Sequence, residues 1–181
     1  HNLDDAAAHA LALVAQGQVS RALDLVSTNK REAVLDMAKR LHAGEDPLVL
    51  SEVFVAHLKE RSENLKAALK GELEESAPDD GTREDMEDLK KEQAAFIEGQ
   101  VRRDYLEYLY LFETWYRDVW VFHTTRDEGR LLNRDQVAVL EQTSAADQPG
   151  HIAAIEKAWV YIERNLSIDR VFRDLFFALS A

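Results

Sequence analysis

The side chains able to carry chemistry in this chain are six histidines, eight serines and an excess of carboxylates, and their spacing serves none of the usual devices. The histidines are His1, His9, His42, His57, His123 and His151. No two lie three to five residues apart and none ends a Glu-x-x-His pair, so the helix-borne metal site that needs one or the other is missing. His123, just past an aromatic stripe, is expected to be a polar end-cap of its own helix. A phosphate-cradling loop needs clustered glycines followed by Lys and Ser or Thr, because bare backbone amides hold the oxygens. Gly17, Gly44, Gly71, Gly81, Gly99, Gly129 and Gly150 stand singly instead. The acidic run Pro78 to Asp85 lacks the alternating ligands and closing Glu of a calcium loop, and reads as a solvated turn. No Gly-x-Ser-x-Gly elbow presents a nucleophile, and without cysteine there is no disulfide, thiolate or zinc ribbon. The chain is therefore expected to hold no catalytic residue, no metal ligand and no cofactor of its own.

Candidates for architecture remain. Trp115-Tyr116-Arg117-Asp118 sets large aromatics beside an ion-pairing couple, and Arg117 is suited to stack on a ring or meet a carboxylate at a helix junction. Arg102-Arg103 and Lys90-Lys91 are short basic pairs, not the long stripe of a nucleic-acid footprint. With 34 acidic and 22 basic residues the chain carries a formal charge of −12, which repels a phosphate backbone over most of its surface. No direct nucleic-acid contact is expected. No apolar run is long enough to span a bilayer, and the lack of cysteine fits a reducing cytoplasm. The opening His1-Asn2, without Met, suggests a piece of a longer protein.

Helices must position these residues, since only seven Gly and three Pro interrupt 181 residues. Leu3, Ala7, Leu11 and Val14 share a face, with Asp4 and Asp5 at the positive end and Gly17 as the stop. From Val19 to Val26 the inward side is expected to be Ala22, Leu23 and Val26. Asn29 with Glu32 predicts a capping box for a helix that runs through Val34, Met37 and Leu41 to Gly44. Asp46-Pro47 predicts the start of a helix burying Leu50, Val53, Phe54, Leu58, Leu65 and Leu69, with a break at Ser76 to Gly81. Thr82 with Asp85 then caps a helix to about Phe122. Its first half is thinly apolar, like one arm of a hairpin. Its second half repeats aromatics at Tyr105, Tyr108, Phe112, Trp115 and Phe122, which predicts a central, surrounded helix. Asn133 with Gln136 opens the next helix, and Ala146 to Gly150 breaks the chain. Ile152, Ile155, Trp159 and Ile162 form a stripe that stops at Asn165. Ser167 caps a last helix facing inward through Val171, Phe172, Leu175, Phe176 and Leu179. Period-two alternation is absent, so an all-α helical bundle is predicted.

The succession Trp115-Tyr116-Arg117-Asp118-Val119, Leu131-Leu132-Asn133-Arg134-Asp135, Ile155 to Ile162, Glu163-Arg164-Asn165-Leu166-Ser167 and a final apolar helix resembles a known pattern. It is similar to the collar domain of bacterial DNA polymerase III clamp-loader subunits, of the delta prime type. Upstream, Ala15 to Leu23 resembles the sensor-2 stretch of the lid domain in AAA+ ATPases, though Gln16-Gly17 and Val19-Ser20 depart from the usual Gly-Gly/Ser-x-Gly-Arg context. Roughly Lys59 to Arg103 resembles an insertion of actinobacterial forms.

This resemblance implies a lid remnant over 1–45, a long helical hairpin over 46–104 and a collar, or oligomerisation, domain over 105–181. It further implies a non-catalytic piece of a DNA polymerase III holoenzyme subunit, working in DNA replication. The collar would close a ring with gamma/tau and delta-type subunits while ATPase domains open the sliding clamp. Arg21 would match the residue that reaches toward phosphates in ATP-binding members. Trp115, Arg117, Asp118, Asn133, Asn165, Phe172 and Phe176 would serve architecture or interfaces. The collar pattern is shared with the gamma-type paralogue. The alternatives are a ligand-sensing helical bundle of a transcriptional regulator, with the aromatic stripe lining a pocket, and a metal or carboxylate bundle enzyme, which the histidine spacing opposes.

Overall fold

Capping chemistry fixes several helix boundaries in the computed structural model, which describes residues 4–75 and 83–180. Asp4 accepts the amide of Ala7 at 2.7 Å and starts α1 (Asp5–Val14). Gly17, at φ +74°, turns the chain into α2 (Val19–Thr28). After α3 (Lys30–His42), Gly44 at φ +83° and the Asp46 carboxylate, 2.8 Å from the Leu48 amide, lead into α4 (Pro47–Glu75). The expected turn at 76–81 and the Thr82 cap lie outside the described residues. Helix α5 (Arg83–Thr125) is followed by short 3-10 turns at Glu128–Arg130 and Arg134–Gln136. α6 (Val137–Gln142), α7 (Gln148–Glu163) and α8 (Ile168–Leu179) complete the chain. Among the described residues there is no strand, and no helix is long and apolar enough to cross a membrane.

The 43 residues of α5 make it the spine, about 65 Å long at the usual helical rise. Its second half is surrounded by α3, α4, α6 and α7, as the aromatic stripe predicts. α4 runs antiparallel to it: His57 meets Tyr108, Arg61 meets Asp104 and Lys66 meets Glu98. α8 packs on both α4 and α7. One apolar cluster runs from Leu11 to Leu179 and draws on all three stretches, 1–45, 46–104 and 105–181. Phe54 is its hub, with ring centroids 5.5 Å from Tyr108, 5.5 Å from Phe112, 5.3 Å from Phe172 and 5.4 Å from Phe176. Offset and edge-on pairs of this kind are the favoured aromatic contacts.

Several local expectations are corrected. Leu23 is 64% exposed, and Leu25 is buried in its place. α2 is rotated because Arg21 turns inward to Glu107, which carries the inner arc through Arg21, Ala22 and Leu25. Val53 is 47% exposed. The buried arc of α4 runs through Leu50, Phe54 and Leu58 toward Val55, where α8 covers it, and leaves the Val49–Val53 flank outside. Asn29 takes a left-handed conformation at φ 51° and its side chain caps nothing, nor do those of Asn133 and Ser167. Ala146 to Gly150 is only partly a break, since α7 begins at Gln148 with Pro149 in its first turn, where a missing N–H costs nothing. Gly17, Gly44 and the left-handed Asn165, at φ 57°, stop helices as expected.

Trp115 is 1% exposed at the centre of α5. Trp115→Ala is expected to lower unfolding free energy by about 3–5 kcal/mol, the usual large-aromatic cavity penalty. Urea unfolding followed by circular dichroism measures this, and an unchanged midpoint would contradict the central placement.

Candidate functional site

Helix α3 begins with two adjacent cations, Lys30 and Arg31, each 3% exposed. That position is electrostatically poor, because the amino end of a helix is already positive and Asn29 supplies no side-chain cap. Buried charge is costly without partners, so both side chains must find carboxylates.

Lys30 does so on one side. Its Nζ lies 2.7 Å from Asp24, 2.8 Å from Asp104 and 2.8 Å from Glu107. Arg21 donates to Glu107 at 2.9 Å, and Arg61 meets Asp104 at 3.0 Å. Three cations and three carboxylates thus close into a neutral knot joining α2, α3, α4 and α5. Burial acts against the Lys30 ammonium, but the hydrogen bonds it donates to Asp104, Asp24 and Glu107 outweigh it and raise its pKa. Beside the knot the Tyr108 hydroxyl pairs with His57 at 3.0 Å, and burial pushes its pKa up to about 12.

Arg31 points to the other side. Its Nε and Nη2 donate to the Asn133 side-chain oxygen at 3.1 and 2.9 Å, and Nη2 also meets Asp135 at 2.6 Å. Asn133 in turn donates through Nδ2 to Asp118 at 3.0 Å. The fully buried Asp118 accepts the backbone amides of Leu132 and Asn133 at 2.9 and 2.6 Å, and Arg117 at 2.6 Å. Arg117 also donates to the Arg130 carbonyl at 2.9 Å. Further along the same strap, Lys39 holds Gln136 at 2.8 Å. His123 and His42 lie 3.1 and 3.0 Å from the Leu140 and Gln142 carbonyls. The expectation that His123 caps its own helix is corrected: its ring meets the Leu140 carbonyl of α6. The Leu140 carbonyl also accepts the Thr143 amide, so the ring adds a second contact at the end of α6.

Of the residues singled out from sequence, Arg117, Asp118 and Asn133 converge on this second network. Trp115, Phe172 and Phe176 lie in the core. Asn165 ends α7 and accepts from Arg102. Arg21 sits 4.2 Å over the Tyr110 ring while bonded to Glu107. It borders an open groove of about 700 Å³ whose lining includes Leu106, Glu107, Tyr110 and Trp159. Sequence reasoning missed Lys30, Arg31, Asp104 and Glu107. The one available signal was two cations at a helix start, where the dipole disfavours them.

The carboxylates of Asp104 and Asp118 are committed to cations and amides, so neither is placed to act as a free general base. Among the described residues no three or more His, Asp or Glu side chains are grouped to hold a metal. Chemically the arrangement is a pair of ionic ties. No protein-family model matches the chain, and neither a curated protein nor a solved structure does.

Asp118→Ala strands the backbone amides of Leu132 and Asn133, the Asn133 side-chain amide and the Arg117 guanidinium, and is expected to cost about 3–5 kcal/mol by urea unfolding, as breaking a buried pair does. A loss under about 1 kcal/mol, typical of an exposed pair, would rule out this role. The alkaline limb of stability provides a second test. Lys30 and Tyr108 both hold their protons more tightly when folded, so their contribution is whole below their ordinary values of 10.5 and 10.0. It falls as pH rises, for Tyr108 across pH 10 to about 12. Tyr108→Phe should flatten that limb, and an unaltered slope would show that the Tyr108 proton is not responsible.

Proposed function

We propose that this chain is an assembly piece of a bacterial clamp loader of the delta prime type. On this proposal 1–45 is the remnant of an AAA+ lid, 46–104 is a helical hairpin and 105–181 is the collar. The collar joins gamma/tau and delta-type subunits in a ring that supports ATP-driven loading of the sliding clamp in the cytoplasm. The chain itself contributes rigidity and surface, and ATP hydrolysis belongs to other parts of the assembly.

The observation that carries the proposal is how completely the interior is used. The aromatic stripe of α5 is filled by Phe54, Phe172 and Phe176 rather than lining a cavity, and the buried ions answer one another. A frame that must stay closed while neighbouring domains move needs such packing. The order of the Trp115 to Val119, Leu131 to Asp135 and Glu163 to Ser167 motifs, and its likeness to the collar pattern, supports the family reading. Arg21, tied to Glu107 and Tyr110, serves here as an internal brace. A ligand-sensing bundle is the second reading, favoured by the groove beside Trp159 and Tyr110, whose volume suits a small ligand.

Mixing the chain with the remaining loader subunits of its source and running size-exclusion chromatography tests the proposal. Co-migration is the expected result. Separate elution from every one of them would refute it.

A further inference from the structure

We propose that the outward crest of α8, formed by Arg170, Arg173 and Phe177, is the ridge on which a neighbouring protein subunit docks through an acidic surface with an apolar socket. This rests on the assembly proposal above and names the surface it needs.

The first observation is an imbalance of partners. Arg21, Arg31, Arg40, Arg61, Arg117 and Arg130 are in ion pairs. Arg102, Arg103 and Arg134 donate hydrogen bonds, and Arg126 lies over the Phe122 ring. Among the described side chains, Arg164, Arg170 and Arg173 are the arginines with no such tie, and all three are exposed within one ten-residue stretch. Asp169, their neighbour, is neutralised by Lys59 at 2.7 Å, and the other acids bordering the stretch are Glu163 and Asp174. A chain of net charge −12 thus gathers its unpaired described arginines here.

The second observation is apolar. α8 buries Phe172, Phe176 and Leu179 on its inner face, yet Phe177 is 49% exposed on the crest. α8 runs antiparallel to α4, since Lys59 pairs with Asp169 while Arg173 borders the cleft at Glu52 and Ala56. Eight residues, about 12 Å, beyond Asp169 the helix brings Phe177 level with Ser51, and Leu48, one turn earlier on α4, is also exposed. The ridge is therefore apolar at one end and cationic at the other.

Charge complementarity selects the occupant. Planar guanidinium groups pair bidentately with carboxylates, and Arg and aromatic residues are the side chains that anchor protein interfaces. A nucleic acid would meet the same arginines but would be repelled by the acidic remainder and gain nothing from Phe177.

The test uses the full chain with the other loader subunits as the probe. Three variants are compared with the parent: Phe177→Ala, the double change Arg170→Glu with Arg173→Glu, and Leu23→Glu as a control on the exposed side of α2. Circular dichroism melting verifies that each is folded. Association by sedimentation velocity should weaken about tenfold or more for both crest variants, as loss of an interface anchor does, and be unchanged for Leu23→Glu. Parent affinity should fall with added salt. If crest variants bind like a parent that does associate, the ridge is wrong and the assembly proposal survives. If the parent binds no subunit, both fall. A parent dimer that Phe177→Ala dissolves would make a second copy the occupant, and duplex DNA binding lost on charge reversal would make it a nucleic acid; either overturns the inference.

Discussion

Placing Lys30 and Arg31 side by side inside the protein constrains nearly everything around them. Neither cation can be left in a low-dielectric interior alone, and their side chains diverge to opposite flanks of α3. One flank therefore has to supply Asp24, Asp104 and Glu107, and the other Asn133 and Asp135. Those partners come from α2, from α5 and from the strap ahead of α6. The registers of all these elements against α3 are thereby fixed together. Apolar packing alone would tolerate a slide of α3 along α5, whereas a slide by one turn would strand both charges. The ionic ties act on specificity of arrangement more than on net stability, since well-packed apolar groups often do as well energetically.

Asp118 extends the same logic to a segment with little helix of its own. Between Glu128 and Gln142 the chain has two short 3-10 turns and a six-residue helix, too short to be stable alone. Asp118 receives the amides of Leu132 and Asn133 at its start, and His123 and His42 take carbonyls at its end. Backbone groups along the strap are thus met by side chains from α5 and α3. The strap is ordered by its neighbours, and α5 stays central because it supplies both Asp118 and His123.

What sequence could reveal follows from the range of the physics involved. Periodicity is local, and it placed all the helices, the central character of Trp115 and Phe112, and the inward faces of α5 and α8. Glycine and Asn stops at 17, 44 and 165 were equally legible because left-handed backbone is a one-residue property. Rotation of a helix about its axis is not local. Leu23 and Val53 were assigned inward because they extend an apolar stripe, but Glu107 pulling on Arg21, and α8 covering one side of α4, decide the actual face. Asn133 was read as a cap since Asn often is one; its true role needs Arg31, 102 residues away, and Asp118. Arg117 was singled out, with Asp118 next to it, because a guanidinium beside aromatics suits a carboxylate at a helix junction, whereas an architectural role for Asn133 entered only through the resemblance.

The division between answered and unanswered charge carries a final consequence. Most described cations in the chain are consumed by contacts within the fold, and each such contact lowers what that side chain can offer another molecule, since a partner must first compete with the existing carboxylate. Desolvating an already paired ion gains little, whereas a lone guanidinium at the surface meets a carboxylate with no prior bond to break. An acidic protein built on internal ion pairs is therefore poorly adhesive over most of its area. Its capacity for specific contact concentrates where pairing stops, along 164–173, and where that stretch continues into an exposed aromatic ring at Phe177.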